Sequence, residues 1–139
     1  MTIAVDFDGT LVEHKYPKIG KEIPFAFEVL KLLQAENHQL ILWSAREGRL
    51  LDEAVAYCHE RGIDFYAVNR HYPEAGGDGH HGNKVIADCY IDDHNLGGLP
   101  DWGLIYAMIH YNLTYAEAYE RMSKGAGETS EKKKKRKWF

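Results

Sequence analysis

The sequence has few cysteines and no hydrophobic segment long enough to cross a membrane. Cys58 and Cys89 are the two cysteines among 139 residues, and they do not form a CxxC motif. Two thiols in apolar segments need not pair, which favours a reducing, cytoplasmic location over secretion. No apolar run approaches the roughly 20 residues that span a bilayer, and the first residues lack the basic region of a signal peptide. We therefore expect a soluble protein without a disulfide framework.

The net charge of −4 is unevenly distributed along the chain. Residues 132–137 carry six positive charges, and the remainder has 11 basic against 21 acidic residues, a net charge of −10. An acidic body argues against general nucleic-acid binding, because phosphates are bound by clustered cations. The basic segment could contact an anionic partner such as a nucleic acid. A solvated, disordered terminus is the favoured interpretation.

Apolar segments of strand and helix length alternate along the chain, with no internal repeat. The predicted strands are Thr2–Asp6, Gln39–Trp43, Ile63–Val68, Cys89–Asp92 and a short fifth one at Asp101–Ile105. The predicted helices are Pro24–Ala35, Arg46–Arg61 ending at Gly62, a turn at Lys84–Ala87, and Ala107–Lys124 broken near Asn112, where Thr114 is a plausible N-cap. We predict one domain over residues 1–124 and a disordered basic tail over residues 125–139.

This alternation predicts an α/β fold, a three-layer Rossmann-like domain with a mainly parallel central sheet. Ligands of such sheets bind beyond the carboxyl ends of the strands. Polar residues stand at the ends of four predicted strands, namely Asp6, Ser44, Asn69 and the pair Asp92-Asp93. The sequence therefore predicts a functional site at that edge of the sheet.

The first acidic pair, Asp6 and Asp8, allows two interpretations. Two carboxylates this close repel each other unless a cation lies between them, and Mg²⁺ prefers such hard oxygen ligands. An acidic turn exposed to water is equally compatible with an Asp-Gly sequence. Gly9 would permit the sharp turn that brings both side chains to one cleft.

The other candidates also have a structural and a functional interpretation. Asp92 and Asp93 would bring further negative charge to the same crevice, which requires a cation and other positive groups. Lys84 is either such a group or an ordinary surface lysine. Ser44, with the backbone N–H groups at Ala45-Arg46, forms either a phosphate cradle or a helix N-cap.

In this order the residues resemble the haloacid dehalogenase-type phosphatase superfamily. The resemblance covers roughly residues 1 to 105. It rests on four segments: Asp6-Phe-Asp8-Gly-Thr10, Leu42-Trp-Ser44-Ala-Arg46, Lys84, and Tyr90-Ile-Asp92-Asp93.

The resemblance implies a Mg²⁺-dependent phosphatase. Asp6 would attack phosphorus and form an aspartyl-phosphate, while Asp8 would protonate the leaving group and then activate water. Ser44 would hold the transferring phosphoryl oxygens, and Lys84 would balance the charge on Asp6 and the phosphoryl group. Ala45 and Arg46 are also predicted to bind the substrate, and the alternative for the Arg46 side chain is an exposed charge. The metal would be held by Asp6, the backbone carbonyl of Asp8 and the pair Asp92 and Asp93, with Asp93 favoured as the direct ligand.

The segments between these motifs are too short for the cap domain that most superfamily members carry. An uncapped cleft suits a macromolecular substrate, or a small one enclosed by a neighbouring subunit of a homo-oligomer; a small phosphorylated molecule is favoured.

The loop at residues 69–83 contains His71, His80 and His81, which could bind a metal weakly, although a substrate-contacting or flexible loop is favoured. The alternatives are a nucleic-acid end-processing phosphatase and a phospho-acceptor module without turnover.

Overall fold

The computed structural model describes residues 1–70 and 85–124. Within them the chain divides into two compact units, one spanning residues 1–99 and the other beginning at Pro100. The predicted extent of the catalytic domain, to residue 124, stays a prediction. Lys84 and the histidines at 71, 80 and 81 lie outside the described residues, as does the basic tail.

The first unit is built on a four-stranded parallel sheet. Its strands are β1 (Thr2–Val5), β2 (Gln39–Leu42), β3 (Ala67–Val68) and β4 (Cys89–Ile91). They lie in the order β3-β2-β1-β4, and every neighbouring pair is parallel. Helix α1 (Ala26–Ala35) connects β1 to β2, and helix α2 (Gly48–Glu60) connects β2 to β3. The predicted Rossmann-like α/β fold is confirmed.

The central strands are apolar along their length because both faces of the sheet are covered. Residues 3–5 of β1 and 40–42 of β2 are no more than 1% exposed. In a strand buried on both faces every side chain is buried, so apolar and polar residues do not alternate and the sequence is aliphatic throughout. The first polar residue after each strand therefore falls at the rim of the sheet.

Helices α1 and α2 begin later than predicted, and the backbone conformation before each helix explains why. α1 begins two residues after Pro24, because Phe25 adopts a left-handed conformation with φ of 67°. α2 begins at Gly48 instead of Arg46, since Glu47 is extended. Gly62 does end α2, with φ of +84° and the Ile63 N–H bound to the Cys58 carbonyl at 3.0 Å.

The predicted helical turn at Lys84–Ala87 is wrong over its described part. Residues 85–87 are irregular, and the Tyr90 hydroxyl satisfies their backbone instead. It donates to the Val85 carbonyl at 2.6 Å and accepts from the Ala87 N–H at 3.1 Å. A side chain from the following strand thus replaces the hydrogen bonds that a helix would have made.

The second unit contains two helices, α3 (Trp102–His110) and α4 (Tyr115–Lys124). The predicted fifth strand at Asp101–Ile105 is wrong, because Asp101 caps α3 by accepting from the Gly103 N–H at 2.8 Å. The predicted N-cap at Thr114 is confirmed: its hydroxyl accepts from the Glu117 N–H at 3.3 Å, and Glu117 accepts from the Thr114 N–H at 2.9 Å. This reciprocal pattern is a capping box.

None of the helices in the described segments has the length and apolar character that a bilayer crossing requires.

Candidate functional site

The acidic side chains converge where β1 and β4 end. Asp6 directly follows β1, while Asp92 and Asp93 directly follow β4, its hydrogen-bonded neighbour. One carboxylate oxygen from each of the three lies within 4.8 Å of the others, and all three residues are half-buried. The arrangement arises because parallel neighbouring strands release their next residues at the same edge of the sheet.

Asp6 experiences the strongest electrostatic perturbation of these groups. Burial raises its pKa from 3.8 to about 7; the Phe7 backbone N–H opposes the rise, and the nearby charges of Asp92 and Asp93 add to it. Such a carboxylate is poorly solvated and repelled by its neighbours. A cation among the three would relieve both effects.

Gly9 and Thr10 fix the distance between the two acidic strand ends. Gly9 has φ of +85°, which favours glycine, and a Cβ atom there would overlap Oδ2 of Asp93, so any other residue would displace that carboxylate. The fully buried Thr10 hydroxyl lies 3.4 Å from Asp6 Oδ2 and 3.4 Å from Asp93 Oδ1, and accepts from the Asp93 N–H at 3.2 Å. The sequence indicated a turn here, but it did not show that Thr10 links Asp6 to Asp93.

Ser44 lies at the same edge, beyond β2. It is 8% exposed, and its Oγ accepts from the Arg46 N–H at 3.0 Å across Ala45. The N-cap interpretation is wrong, because the residue that precedes α2 is Glu47 and no side chain caps it. The backbone N–H of Ser44 donates to Asn69 Oδ1 at 2.8 Å. Asn69, beyond β3, thereby holds the Ser44 turn; the sequence placed it at a strand end without giving it this role.

Asp8 is paired with Arg46. The guanidinium binds both carboxylate oxygens of Asp8, with Nε–Oδ2 at 2.7 Å and Nη2–Oδ1 at 2.8 Å. The Arg46 side chain is 0% exposed and that of Asp8 13%. This hydrogen-bonded carboxylate raises the pKa of Arg46 further above its usual value. Arg46 is therefore no exposed surface charge, and a substrate contact by its guanidinium would compete with Asp8.

A cavity of about 610 Å³ lies at this edge of the sheet. Its lining consists of Asp6, Asp8, His14, Tyr16, Trp43, Ser44, Ala45, Arg46, Asp92 and His94. A larger hollow of about 790 Å³ lies against α2 and β3, but among its described lining residues the only carboxylate is Asp52. The chemistry therefore concentrates in the smaller cavity, which joins the three strand ends.

The donor set of the acidic cluster fits a hard divalent cation. Three carboxylates with mutually close oxygens supply anionic oxygen ligands, and partial exposure leaves room for the waters that Mg²⁺ retains. Among the described residues no cysteine or histidine belongs to this cluster, which disfavours a soft or borderline metal there. The carboxylates of Asp6, Asp92 and Asp93 would hold the ion. Both carboxylate oxygens of Asp8 accept hydrogen bonds from Arg46. If Asp8 contributes a metal ligand, it would therefore be the backbone carbonyl oxygen, as the resemblance implied.

A solved structure of a conserved protein from Bacteroides thetaiotaomicron matches this chain with a TM-score of 0.78 and 60% sequence identity. The match covers 87% of this chain and 98% of the other. No protein-family model and no curated protein matches the chain. The Bacteroides protein is described only as conserved, and that description assigns it no activity.

Proposed function

We propose that this chain, which belongs to the same family as the conserved Bacteroides thetaiotaomicron protein, is a Mg²⁺-dependent phosphomonoester hydrolase of the haloacid dehalogenase type. The observation that carries the proposal is the convergence of the Asp6, Asp92 and Asp93 carboxylates beside a cavity that Asp6, Asp92, Ser44 and Asp8 line. Nucleophile, acid/base, phosphoryl-binding and metal-binding groups are then all within one cleft. That combination is what phosphoryl transfer requires.

In the first half-reaction a carboxylate oxygen of Asp6 attacks phosphorus and the bond to the leaving oxygen breaks. The carboxyl group of Asp8 gives its proton to that oxygen, which leaves as an alcohol. In the second half-reaction Asp8 takes a proton from water, whose oxygen attacks phosphorus and releases Asp6 and inorganic phosphate. Dividing the displacement in this way is covalent catalysis.

Ser44 and the turn that follows it would bind the transferring phosphoryl oxygens. The Ser44 Oγ already accepts the Arg46 N–H, and its own O–H remains to donate to a phosphoryl oxygen. Mg²⁺ bound to the acidic cluster would supply charge neutralisation for the attacking carboxylate and the phosphoryl group. Lys84 is proposed for the same task.

The experiment is hydrolysis of p-nitrophenyl phosphate by the purified full-length protein. We expect Mg²⁺-dependent turnover that EDTA removes and that Asp6→Asn lowers by at least about 10³-fold, since the nucleophile is lost. Asp64→Asn is the matched control, because Asp64 is exposed and pairs with His59 at 2.7 Å, outside the cleft. Wild-type activity that survived Asp6→Asn would disprove the assigned nucleophile.

An acid-quench experiment separates turnover from the phospho-acceptor alternative. Labelled phosphate should be trapped transiently on the peptide that contains Asp6, followed by release of more than one equivalent of inorganic phosphate. A stable phosphoprotein with no further phosphate release would identify a phospho-acceptor module instead of an enzyme.

A further inference from the structure

Every N–H group of the Arg46 guanidinium has an acceptor. Nε and Nη2 donate to the two Asp8 carboxylate oxygens at 2.7 and 2.8 Å. Backbone carbonyls accept the other three: Pro17 at 3.3 Å and Leu50 at 3.4 Å from Nη1, and Lys18 at 3.1 Å from Nη2. An arginine side chain has five N–H donors, so none is left for a substrate oxygen.

The three carbonyls hold the guanidinium in place independently of Asp8. They come from two separate segments, residues 17–18 of the loop before α1 and Leu50 in α2. The rings of Phe7 and Tyr16 lie against the same group, with centroids 5.1 and 5.3 Å from its central carbon. Contacts other than Asp8 therefore fix the Arg46 guanidinium, and the guanidinium in turn fixes the Asp8 carboxylate.

We propose that Arg46 is a positioning residue that orients Asp8 for both of its proton transfers, and that it is not a ligand of the substrate. The inference rests on the proposed phosphatase function. It departs from the substrate contact that was predicted for Arg46 from the sequence, because a contact of that kind would require one of the five hydrogen bonds to be replaced.

The geometry explains how a paired Asp8 can still transfer a proton. A carboxylate held through both oxygens only accepts hydrogen bonds, whereas the acid form keeps its proton on one oxygen and can accept through the other. When one contact opens, the carbonyl-anchored guanidinium stays in place and retains the second oxygen. Asp8 then turns about the remaining bond inside the cavity, and correct orientation of this kind contributes strongly to rate.

The test compares two substrates of nearly the same shape, phenyl phosphate and p-nitrophenyl phosphate. Phenolate needs a proton as it leaves, while p-nitrophenolate departs as a stable anion. We expect Arg46→Lys to lower kcat/KM by about 100-fold for phenyl phosphate and by less than about tenfold for p-nitrophenyl phosphate, because a point charge cannot hold both Asp8 oxygens. KM should change by less than about threefold. Asp8→Asn should show the same substrate dependence, and the double variant should lose little more than Asp8→Asn alone.

Arg61→Lys is the matched control. Arg61 also pairs with a carboxylate, Glu22, at 2.9 Å, and lies over the Tyr57 ring, outside the cleft. It should affect both substrates equally. Circular dichroism and thermal unfolding check that Arg46→Lys is folded. If it is not, Arg46→Gln replaces it in the comparison.

Two results would overturn the inference while leaving the phosphatase proposal intact. Equal losses on both substrates would assign Arg46 a purely structural role, and a raised KM with unchanged kcat would make it a substrate ligand. A wild-type protein inactive on both substrates would overturn the proposed function itself, and this inference with it.

Discussion

The raised pKa of Asp6 makes the stability of the metal-free protein depend on pH. In the unfolded chain this carboxyl loses its proton near pH 3.8, whereas in the fold it keeps it to about pH 7. Between those values the folded chain binds more protons than the unfolded one, so the free energy of unfolding falls as pH rises.

We therefore expect Asp6→Asn to stabilise the protein in EDTA at pH 8, by about 2 kcal/mol, which is half the full linkage value because the residue is partly exposed. The gain should vanish well below pH 3.8, where the Asp6 carboxyl is protonated in the folded and the unfolded chain alike. Urea unfolding of the two proteins across this range measures it. A difference that did not vary with pH would contradict the assigned cause.

Gly9 provides a second test of the same cluster. Gly9→Ala adds a Cβ atom that overlaps Asp93 Oδ2, and should weaken Mg²⁺ binding by about 10- to 100-fold, the range for groups that orient metal ligands. The control is Gly62→Ala, at nearly the same φ of +84° but with Lys31 no closer than 3.8 Å. Both variants should lose about 1–2 kcal/mol of stability from backbone strain.

Calorimetric titration with Mg²⁺ distinguishes the two effects, because only Gly9→Ala should change the affinity. Equal Mg²⁺ affinities in the two variants would show that Gly9 does not determine the position of Asp93.

The sequence predicted which residues stand at the sheet edge but not how they pair. Asp6, Ser44 and Asp92 each follow a buried apolar strand, and that pattern is local. The ion pair between Asp8 and Arg46 joins residues 38 positions apart and depends on how the loop before α1 folds back. No local pattern encodes such a contact, so Arg46 was interpreted as a substrate contact or an exposed charge.

At the scale of elements, strands were predictable where burial was continuous, and of the helix starts only that of α4, at its Thr114 cap, was predicted correctly. β1 and β2 follow from uninterrupted aliphatic runs, while β3 is only two residues long and was predicted as six. Residues 101–105 were predicted as a short strand, although their apolar residues also fit a helix. Asp101, the N-cap of α3, was the local signal that decides between them.

The capping box that begins α4 is a testable element-scale feature. α4 has one buried residue, Ala118, so little packing supports its first turn. Thr114→Ala should remove the bond to the Glu117 N–H and cost about 1 kcal/mol, whereas Thr114→Ser should keep it. Hydrogen exchange of the amides in the first turn of α4 measures the change. Equal protection in the two variants would show that the cap does not determine the start of this helix.

At the scale of the whole molecule, charge is divided between an acidic body and a basic terminal segment. The body lacks a net positive charge to attract polynucleotides, and the cavity has three aspartates in its lining. Six positive charges at residues 132–137 are the feature that favours a nucleic-acid substrate. The choice between a small phosphorylated molecule and a polymer therefore depends on whether this segment takes part in recognition.

Removing residues 131–139 tests that choice. For a small-molecule phosphatase we expect kcat/KM for p-nitrophenyl phosphate to stay within about twofold of the full chain, because the described lining of the cavity is supplied by residues from Asp6 to His94. Activity on a 5′-phosphorylated oligonucleotide should be low in both proteins. If the full chain instead hydrolysed the oligonucleotide efficiently, and truncation removed that activity along with its steep salt dependence, the polymer would be the substrate. Each phosphate contact contributes separately to the slope of affinity against salt concentration, so the change in slope counts how many of the six charges bind the polymer.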